Sequence, residues 1–559
     1  MEHGSGEVAQ DERRDTPLDT VDLPNESRGQ VASRFGVLAI VSFTTFWTRY
    51  FLADKNSYWL DELYSVERYV VQYDTVLDAI RSLAATSIHP PLYQFVLYFW
   101  IELFGDGETA TRTLSNVYVT LAVIFLHRLV ARLADERLAN AVVVPFALIH
   151  AAMFYGLETR SYAQTLMLSV LSLYAVIAYL FPNGIERRPT WPLWVRRTWA
   201  PTLLSAVNVG LMLTHYYNFF FWGAQVLFVA VYLLVMSKPG ERLRRVLISG
   251  SVYLLQLGVF AAIWGRVTWE SYQRNTGRYE TDSITYPPLE IIRAVADRNF
   301  SWGALNAAMV ALLVALLLGW LVLKLWRRRD DAGSQRQLAS IGFLVTMLVG
   351  PAALAFTAFA TIGFERFTVR YVLYLVPVVT VLLALSSREA VNGLVSLARR
   401  ARADRLEQQL TSYKTLIVGI VLLAMVMPDS MSAARNTKDD WRGVAQDIVA
   451  IVEANPDEEY VVYEPAFRQT PVYDYYLSRY SDEVRVQATI RRWVENRGDD
   501  GYSFERDKEL LEEHDYMIIP FVHHRVTNFP RALELLRERY EVEHWQINHD
   551  GKGIAVFAL

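Results

Sequence analysis

Asp61 and Glu62 stand side by side in the aromatic run Tyr58-Trp59-Leu60-Asp61-Glu62-Leu63-Tyr64, just after the first long apolar segment of the chain. Paired carboxylates at a membrane edge are unfavourable unless they face water or a partner, so their default reading is a functional site. His89 of His89-Pro90-Pro91 follows, then Arg112, Glu158-Thr159-Arg160-Ser161-Tyr162, His215-Tyr216-Tyr217, Glu365, Arg366 and Arg370-Tyr371, each at the edge of an apolar segment. A carboxylate can take the proton of a sugar hydroxyl as general base, while fixed cations hold a departing phosphate. Arginine suits the second task because it stays charged and offers a bidentate fork. Acids and arginines together therefore point to chemistry with a phosphate leaving group.

Each of these residues also has a plain reading. Asp61 and Glu62 can be a solvated loop or helix cap, Glu158 and Arg160 a structural ion pair, and His89 a turn residue before proline. His215 and its tyrosines fit an interfacial aromatic belt, and Arg370-Tyr371 a helix-end anchor. The stretch from Arg266 to Arg298, rich in Arg and Tyr, reads as a solvated loop or as a gate for an acceptor.

These groups need elements to hold them, and composition says which. The chain has 559 residues, 52% of them hydrophobic and 20% charged, with a mean hydropathy of +0.15. That is too apolar for an ordinary soluble protein and too charged to be membrane throughout, so a membrane domain with a soluble appendage fits. There is no cysteine, which excludes disulfides, thiolate zinc sites and cysteine nucleophiles. The net charge of -4 hides an asymmetry: residues 436–559 carry about 25 acids against 15 bases and residues 1–34 about 8 against 4, leaving the middle basic. Acidic ends argue against nucleic acid as a partner. Residues 1–34 lack an apolar core segment and read as a disordered cytoplasmic tail rather than a cleaved signal.

Apolar windows of about 20 residues mark membrane helices. They occur at 35–53, 111–133, 139–157, 162–181, 199–214, 217–237, 245–265, 302–324, 338–360, 370–387 and 413–428, so about eleven spans are expected. Basic clusters at Arg128/Arg132/Arg137, Arg187/Arg188/Arg196/Arg197, Lys238/Arg242/Arg244/Arg245, Lys324/Arg327/Arg328/Arg329 and Arg399/Arg400/Arg402/Arg405 with Lys414 mark the cytoplasmic side. They share one side only if the short apolar stretch Leu92 to Phe104 does not span. That stretch is therefore expected to lie at or half within the membrane surface, inside one external loop from about 54 to 110 that holds both the acidic pair and His89. The N-terminus is then cytoplasmic and the C-terminal domain extracytoplasmic.

Residues 436–559 read as a small α/β domain. Asp440-Trp441-Arg442-Gly443 opens a helix to about Ala454, strands are expected at Tyr460 to Tyr463, Val484 to Val486, Tyr516 to Phe521, Glu543 to Ile547 and Gly553 to Phe557, and a helix at Arg531 to Tyr540. No Walker A loop, HExxH or nucleophile elbow is present, and no cytoplasmic nucleotide-sugar domain is visible, which favours a lipid-linked donor for any glycosyl transfer.

The order of Trp59-Leu60-Asp61-Glu62, His89-Pro90-Pro91-Leu92-Tyr93, Leu103-Phe104-Gly105-Asp106 with Arg112, Glu158-Thr159-Arg160-Ser161-Tyr162, Arg370-Tyr371 and Asp440-Trp441-Arg442-Gly443 resembles the GT-C glycosyltransferases, in particular the protein-mannosyltransferase-like branch that uses polyprenyl-phosphate sugars. The resemblance covers about residues 35 to 450. The family pattern at the third site is closer to Glu-Ala-Arg-Met-Tyr, so Glu158, Arg160 and Tyr162 carry over while Thr159 and Ser161 depart from it.

The resemblance implies a polytopic α-helical membrane enzyme of GT-C type with residues 35–428 as its catalytic domain. It would perform inverting transfer from a dolichyl- or undecaprenyl-phosphate sugar on the external face. Asp61 would be the base, Glu62 would assist acceptor placement or a divalent metal, Arg112, Arg160 and Arg370 would hold the donor phosphate, and His89 would shape the pocket. Glu158, Tyr162, His215 and Tyr371 complete the expected substrate site. Acidic composition without cysteine resembles a haloarchaeal member, for which the donor would be dolichyl-phosphate mannose and the acceptor a glycan on a surface-layer glycoprotein. An oligosaccharyltransferase fits less well, since its Trp-Trp-Asp motif is missing. A transporter or flippase of lipid-linked sugars, and a membrane scaffold with an external binding domain, are the alternative classes.

Overall fold

The computed structural model describes residues 28–181 except 88, then 193–275, 287–300, scattered positions from 315 to 327, 332–362, 368–435, 440–464, 470–481, 489–492, 513–521, 537, 540–547 and 553–559. Most of the expected N-terminal tail, the expected span 302–324, Glu365 and Arg366, the expected strand at 484–486 and most of the expected helix at 531–540 lie outside the described residues.

The N-terminal part is a stack of helices. α1 (Arg28–Leu52) leads into the short α2 (Leu60–Leu63), a π-helical stretch Tyr64–Val71, α3 (Val76–Thr86) and α4 (Leu92–Phe104). Then come α5 (Glu108–Leu133), α6 (Glu136–Leu148), α7 (His150–Tyr155), α8 (Tyr162–Leu180), α9 (Leu193–Met212), α10 (Asn218–Met236), α11 (Arg242–Phe260) and α12 (Arg266–Asn275). α13 (Pro288–Asn299), α14 (Ala332–Ile362), α15 (Leu375–Arg400) and α16 (Asp404–Arg435) complete this part.

Among the described residues, seven helical runs are long and apolar enough to cross a membrane: those of α5, α8, α10, α14, α15 and α16, and the continuous run Pro239–Arg274 that holds α11 and all but the last residue of α12. These seven match seven of the eleven expected spans; the other four fall as follows. Residues 139–157 form two helices that meet at Ile149, whose ψ of 145° is extended. α1 is helical from Arg28 to Leu52 and so covers the expected span 35–53 as far as Leu52. α9 (Leu193–Met212) covers the expected span 199–214 as far as Met212, and most of the span at 302–324 lies outside the described residues.

α4 is 13 residues long, or about 20 Å at the α-helical rise, against a hydrocarbon core of about 30 Å. Gly105 stops it with φ 83°, a conformation a side chain disfavours. Phe95, Phe99, Leu103 and Phe104 stay exposed on its outer face, while Tyr93, Gln94, Leu97 and Tyr98 are buried. The helix is thus a short, one-sided element that docks on its neighbours; its first N–H donates to the Leu213 carbonyl at 2.9 Å.

Side-chain caps set other boundaries. Thr75 Oγ1 accepts from the Asp78 N–H at the start of α3, and Asp135 Oδ1 from the Leu138 N–H at the start of α6. Within the membrane bundle, Ser172, Asn208, Gln225, Gln256 and Trp222 form a closed hydrogen-bonded network across α8, α9, α10 and α11. It satisfies side chains that have no water to turn to.

The C-terminal part begins with α17 (Trp441–Ala454), where Trp441, Val444, Ala445, Ile448, Val449 and Val452 form one buried stripe at helical spacing. It is followed by β1 (Tyr460–Glu464), α18 (Thr470–Tyr480), β2 (Thr489–Arg492), β3 (Tyr516–Phe521), β4 (Glu541–Ile547) and β5 (Gly553–Ala558). The sheet order is β2-β1-β3-β5-β4, with β1 parallel to β2 and β3, and β5 antiparallel to β3 and β4. β2 and α18 escaped the sequence reading because Thr489-Ile490-Arg491-Arg492 is too short and polar to stand out, and α18 is broken in pattern by Thr470-Pro471 and a run of tyrosines.

Candidate active site

Trp59 precedes the single turn of α2, which projects Asp61 and Glu62 in different directions. Glu62 is buried and meets Arg112 in a bidentate pair: Nε to Oε1 at 2.9 Å and Nη2 to Oε2 at 2.8 Å. The Thr159 N–H also donates to Glu62 Oε1 at 2.8 Å, and the Trp59 N–H to Oε2 at 3.4 Å. Arg112 spends its other donors on the carbonyls of Ala53 at 2.7 Å, Asn56 at 2.5 Å and Ser57 at 2.9 Å. Both carboxylate oxygens of Glu62 and every terminal nitrogen of Arg112 are thereby occupied in shaping the loop between α1 and α2.

Asp61 has the opposite surroundings. Its side chain is 28% exposed, with Oδ2 3.4 Å from Arg370 Nη1 and 4.0 Å from Arg160 Nη2. Arg160 is fixed from behind: Nη1 donates to the Asp61 carbonyl and to Ser65 Oγ, each at 3.1 Å. Its Nη2 lies 3.5 Å from His89 Nε2. Arginine can only donate, so His89 Nε2 is the acceptor and the imidazole proton sits on Nδ1.

Aromatic rings close the other sides. His215 lies 4.9 Å from Tyr371, 5.6 Å from His89 and 6.4 Å from Tyr162, centroid to centroid. The Arg370 guanidinium sits 5.8 Å from the Tyr162 ring, 5.6 Å from Tyr371 and 6.0 Å from Trp59. Burial, then the charge of Arg160 and the neighbouring His215 and Arg370, holds His89 well below its ordinary 6.5. Burial and the same two arginines bring His215 down to about 3. Both imidazoles are therefore neutral at ordinary pH, and the positive charge of the site comes from Arg160 and Arg370.

Asp61, His89, Arg160, Tyr162, His215, Arg370 and Tyr371 thus converge on one place, whereas Glu62 and Arg112 form a second layer beneath it. Glu158 is buried in that layer, and its carbonyl accepts from Ser115 Oγ at 2.5 Å and from the Arg160 N–H at 2.8 Å. Among the described residues no group of three or more His, Asp or Glu side chains is placed to hold a metal ion.

Several contributors were not singled out in the sequence. Arg49, buried in α1, reaches the carbonyls of Ala147 and Ala152 and the sulfur of Met153, tying down the break between α6 and α7 that leads to Glu158 and Arg160. An arginine inside an apolar window is itself a signal. Ser57 and Tyr476 gave none, because their partners are far away in the chain: Tyr476 Oη accepts from the Tyr58 N–H at 2.6 Å and donates to Glu108 Oε1 at 2.7 Å.

The arrangement of helices and the appended sheet is a polytopic helical membrane fold shared with solved structures. The apo crystal structure of ArnT from Cupriavidus metallidurans matches with a TM-score of 0.51 at 13% identity, covering 94% of this chain and 98% of that one. ArnT bound to undecaprenyl phosphate matches at 0.49 and 14%, over 95% and 98% of the two chains. The archaeal oligosaccharyltransferase AglB from Archaeoglobus fulgidus, in complex with an inhibitory peptide and a dolichol-phosphate, matches at 0.49 and 12%, over 94% and 74%. No family model matches the sequence, and no curated protein does.

Proposed function

We propose that this chain is a membrane glycosyltransferase that moves a hexose from a dolichyl- or polyprenyl-phosphate carrier to a hydroxyl of an extracytoplasmic glycan or glycoprotein. The observation that carries this reading is the contrast within the acidic pair. Glu62 is consumed by Arg112 and backbone, while the Asp61 carboxylate remains partly exposed between two guanidiniums. ArnT, whose apo structure shares this fold, has also been solved with undecaprenyl phosphate bound, which supports a lipid phosphate as the leaving group.

In this mechanism the acceptor hydroxyl gives its proton to Asp61 as its oxygen attacks the anomeric carbon. The new glycosidic bond forms as the bond from that carbon to the phosphate oxygen breaks, with inversion, and the lipid phosphate departs with the electron pair. Arg160 and Arg370 stabilise the charge that develops on it, and being held in place already they need little reorganisation. Tyr162, Tyr371, His89 and His215 form neutral walls against which a sugar can lie and hydrogen-bond. Glu62 and Arg112 act on this chemistry by fixing the Asp61 turn. Mannose as the hexose, dolichyl-phosphate mannose as the donor and a surface-layer glycoprotein glycan as the acceptor are the finer assignment that the sequence resemblance supports.

The test is Asp61→Asn in purified, liposome-reconstituted protein with a polyprenyl-phosphate mannose. Transfer should fall at least about a hundredfold, the scale of losing a general base, with the protein still folded. Full transfer by this variant would overturn the assignment of the base, and movement of the lipid-linked sugar across the bilayer without any transfer would replace the enzyme with a transporter.

A further inference from the structure

The C-terminal domain is joined to the acidic loop by a set of polar contacts that the reaction scheme leaves unused. Ser57 Oγ accepts from the Trp441 N–H at 3.0 Å. Arg442 Nη1 pairs with Asp54 Oδ1 at 3.0 Å, and its Nη2 reaches the Asp54 carbonyl at 3.2 Å and Glu108 Oε1 at 3.4 Å. Glu108 in turn accepts from Tyr476 Oη, which itself accepts from the Tyr58 N–H. Residues 54, 57 and 58 are thus held from above by α17 and α18, while Arg112 holds the carbonyls of residues 53, 56 and 57 from below. Asp61 follows three residues after Tyr58, in the first turn of a helix that runs on as the π-helical stretch to Val71, so the held segment sets where that helix starts.

Local sequence fits this task. Asp440 Oδ1 caps α17 by accepting from the Gly443 N–H at 3.1 Å, and a Cβ at Gly443 would stand 2.5 Å from Asp440 Oδ2. The motif Asp440-Trp441-Arg442-Gly443 is therefore a tight helix start whose Trp441 N–H and Arg442 fork both bond the Asp54 to Ser57 segment.

We propose that the C-terminal α/β domain is a positioning element for the reaction, acting through Trp441, Arg442 and Tyr476 on residues 54–58 and so on the placement of Asp61. This inference rests on the reading of Asp61 as base. Arg442 and Tyr476 touch no reacting atom; they set where the carboxylate stands. Near-attack geometry is sensitive to displacements of about 1 Å, which can cost about a hundredfold in rate.

The experiment measures kcat and KM for the lipid donor and for the acceptor in full-length Tyr476→Phe, Arg442→Gln and Arg442→Lys, beside Asp61→Asn, with thermal unfolding in detergent followed in parallel. Tyr476→Phe and Arg442→Gln should lose roughly tenfold to a hundredfold in kcat, with donor KM within about twofold and the unfolding midpoint little changed. Arg442→Lys should recover part of the loss by restoring the charge opposite Asp54 and Glu108. Unchanged kcat in both variants overturns the proposal, and so does loss of activity only in step with loss of fold. A raised acceptor KM at unchanged kcat overturns it too, in favour of acceptor binding by this domain. Failure of the base assignment is read separately: it appears as normal transfer by Asp61→Asn, whatever the clamp variants do.

Discussion

Glu62 lies within a shell of four donors and Asp61 within reach of two, although they are neighbours in the chain. Their chemistry follows from that difference. A buried ion pair resists loss of one partner more than loss of both, because the survivor is left as an uncompensated charge. Glu62→Gln should therefore destabilise the protein by about 3–5 kcal/mol, seen as a lowered unfolding midpoint and poor yield from detergent. The double variant Glu62→Leu with Arg112→Leu should recover part of that stability. A Glu62→Gln protein as stable as the parent would show that the pair does not hold the loop. The sequence made the pair visible as two acids in an aromatic setting but gave no means of ranking them. Ranking needs Thr159 and Arg112, which come from about 97 and 50 residues away. Arg112 illustrates the same limit: its charge and place were legible, while its commitment to three backbone carbonyls depends on the path of the loop.

At the scale of elements, the break between α6 and α7 decides where Arg160 stands. Gly156 ends α7 where a Cβ would lie 2.6 Å from the Ala152 carbonyl and 3.0 Å from Arg49 Cδ. Gly156→Ala should displace Arg49 from the Ala152 carbonyl and shift the chain that leads on to Glu158 and Arg160, costing about 1–3 kcal/mol of stability and lowering transfer; a variant with parental unfolding and parental rate would count against this role. Hydropathy located the long helices well because their apolar windows are long. It read residues 139–157 as one span because the extended Ile149 is as apolar as its surroundings, and only Arg49 reveals that two carbonyls there need a donor. In the C-terminal part, β1, β3, β4 and β5 were legible as short runs of β-branched and aromatic residues, whereas β2 takes its strand form from pairing with β1.

Over the whole molecule, the absence of cysteine makes orientation directly testable, since any introduced thiol is unique. Ala85 is exposed next to the loop that holds His89, and Ala401 is exposed in the basic turn between α15 and α16. The distribution of arginine and lysine predicts that a membrane-impermeant maleimide labels Ala85→Cys in intact cells and Ala401→Cys only after permeabilisation. The reverse pattern would invert the proposed topology and put the site on the cytoplasmic side.

The continuous helix Pro239–Arg274 also measures depth. From Arg242 at its basic end to Trp264 is about 33 Å along the axis at the α-helical rise, slightly more than the hydrocarbon thickness of about 30 Å. Trp264 Nε1 donates to Tyr216 Oη at 3.2 Å, and Tyr216 adjoins His215 in the site. With the basic end at one face of the bilayer, as proposed, the candidate site would stand at headgroup height. On the proposed function, a lipid phosphate resting in its own leaflet would then be level with Arg160 and Arg370, and the donor would arrive by sliding sideways within the leaflet, its tail never leaving the oil.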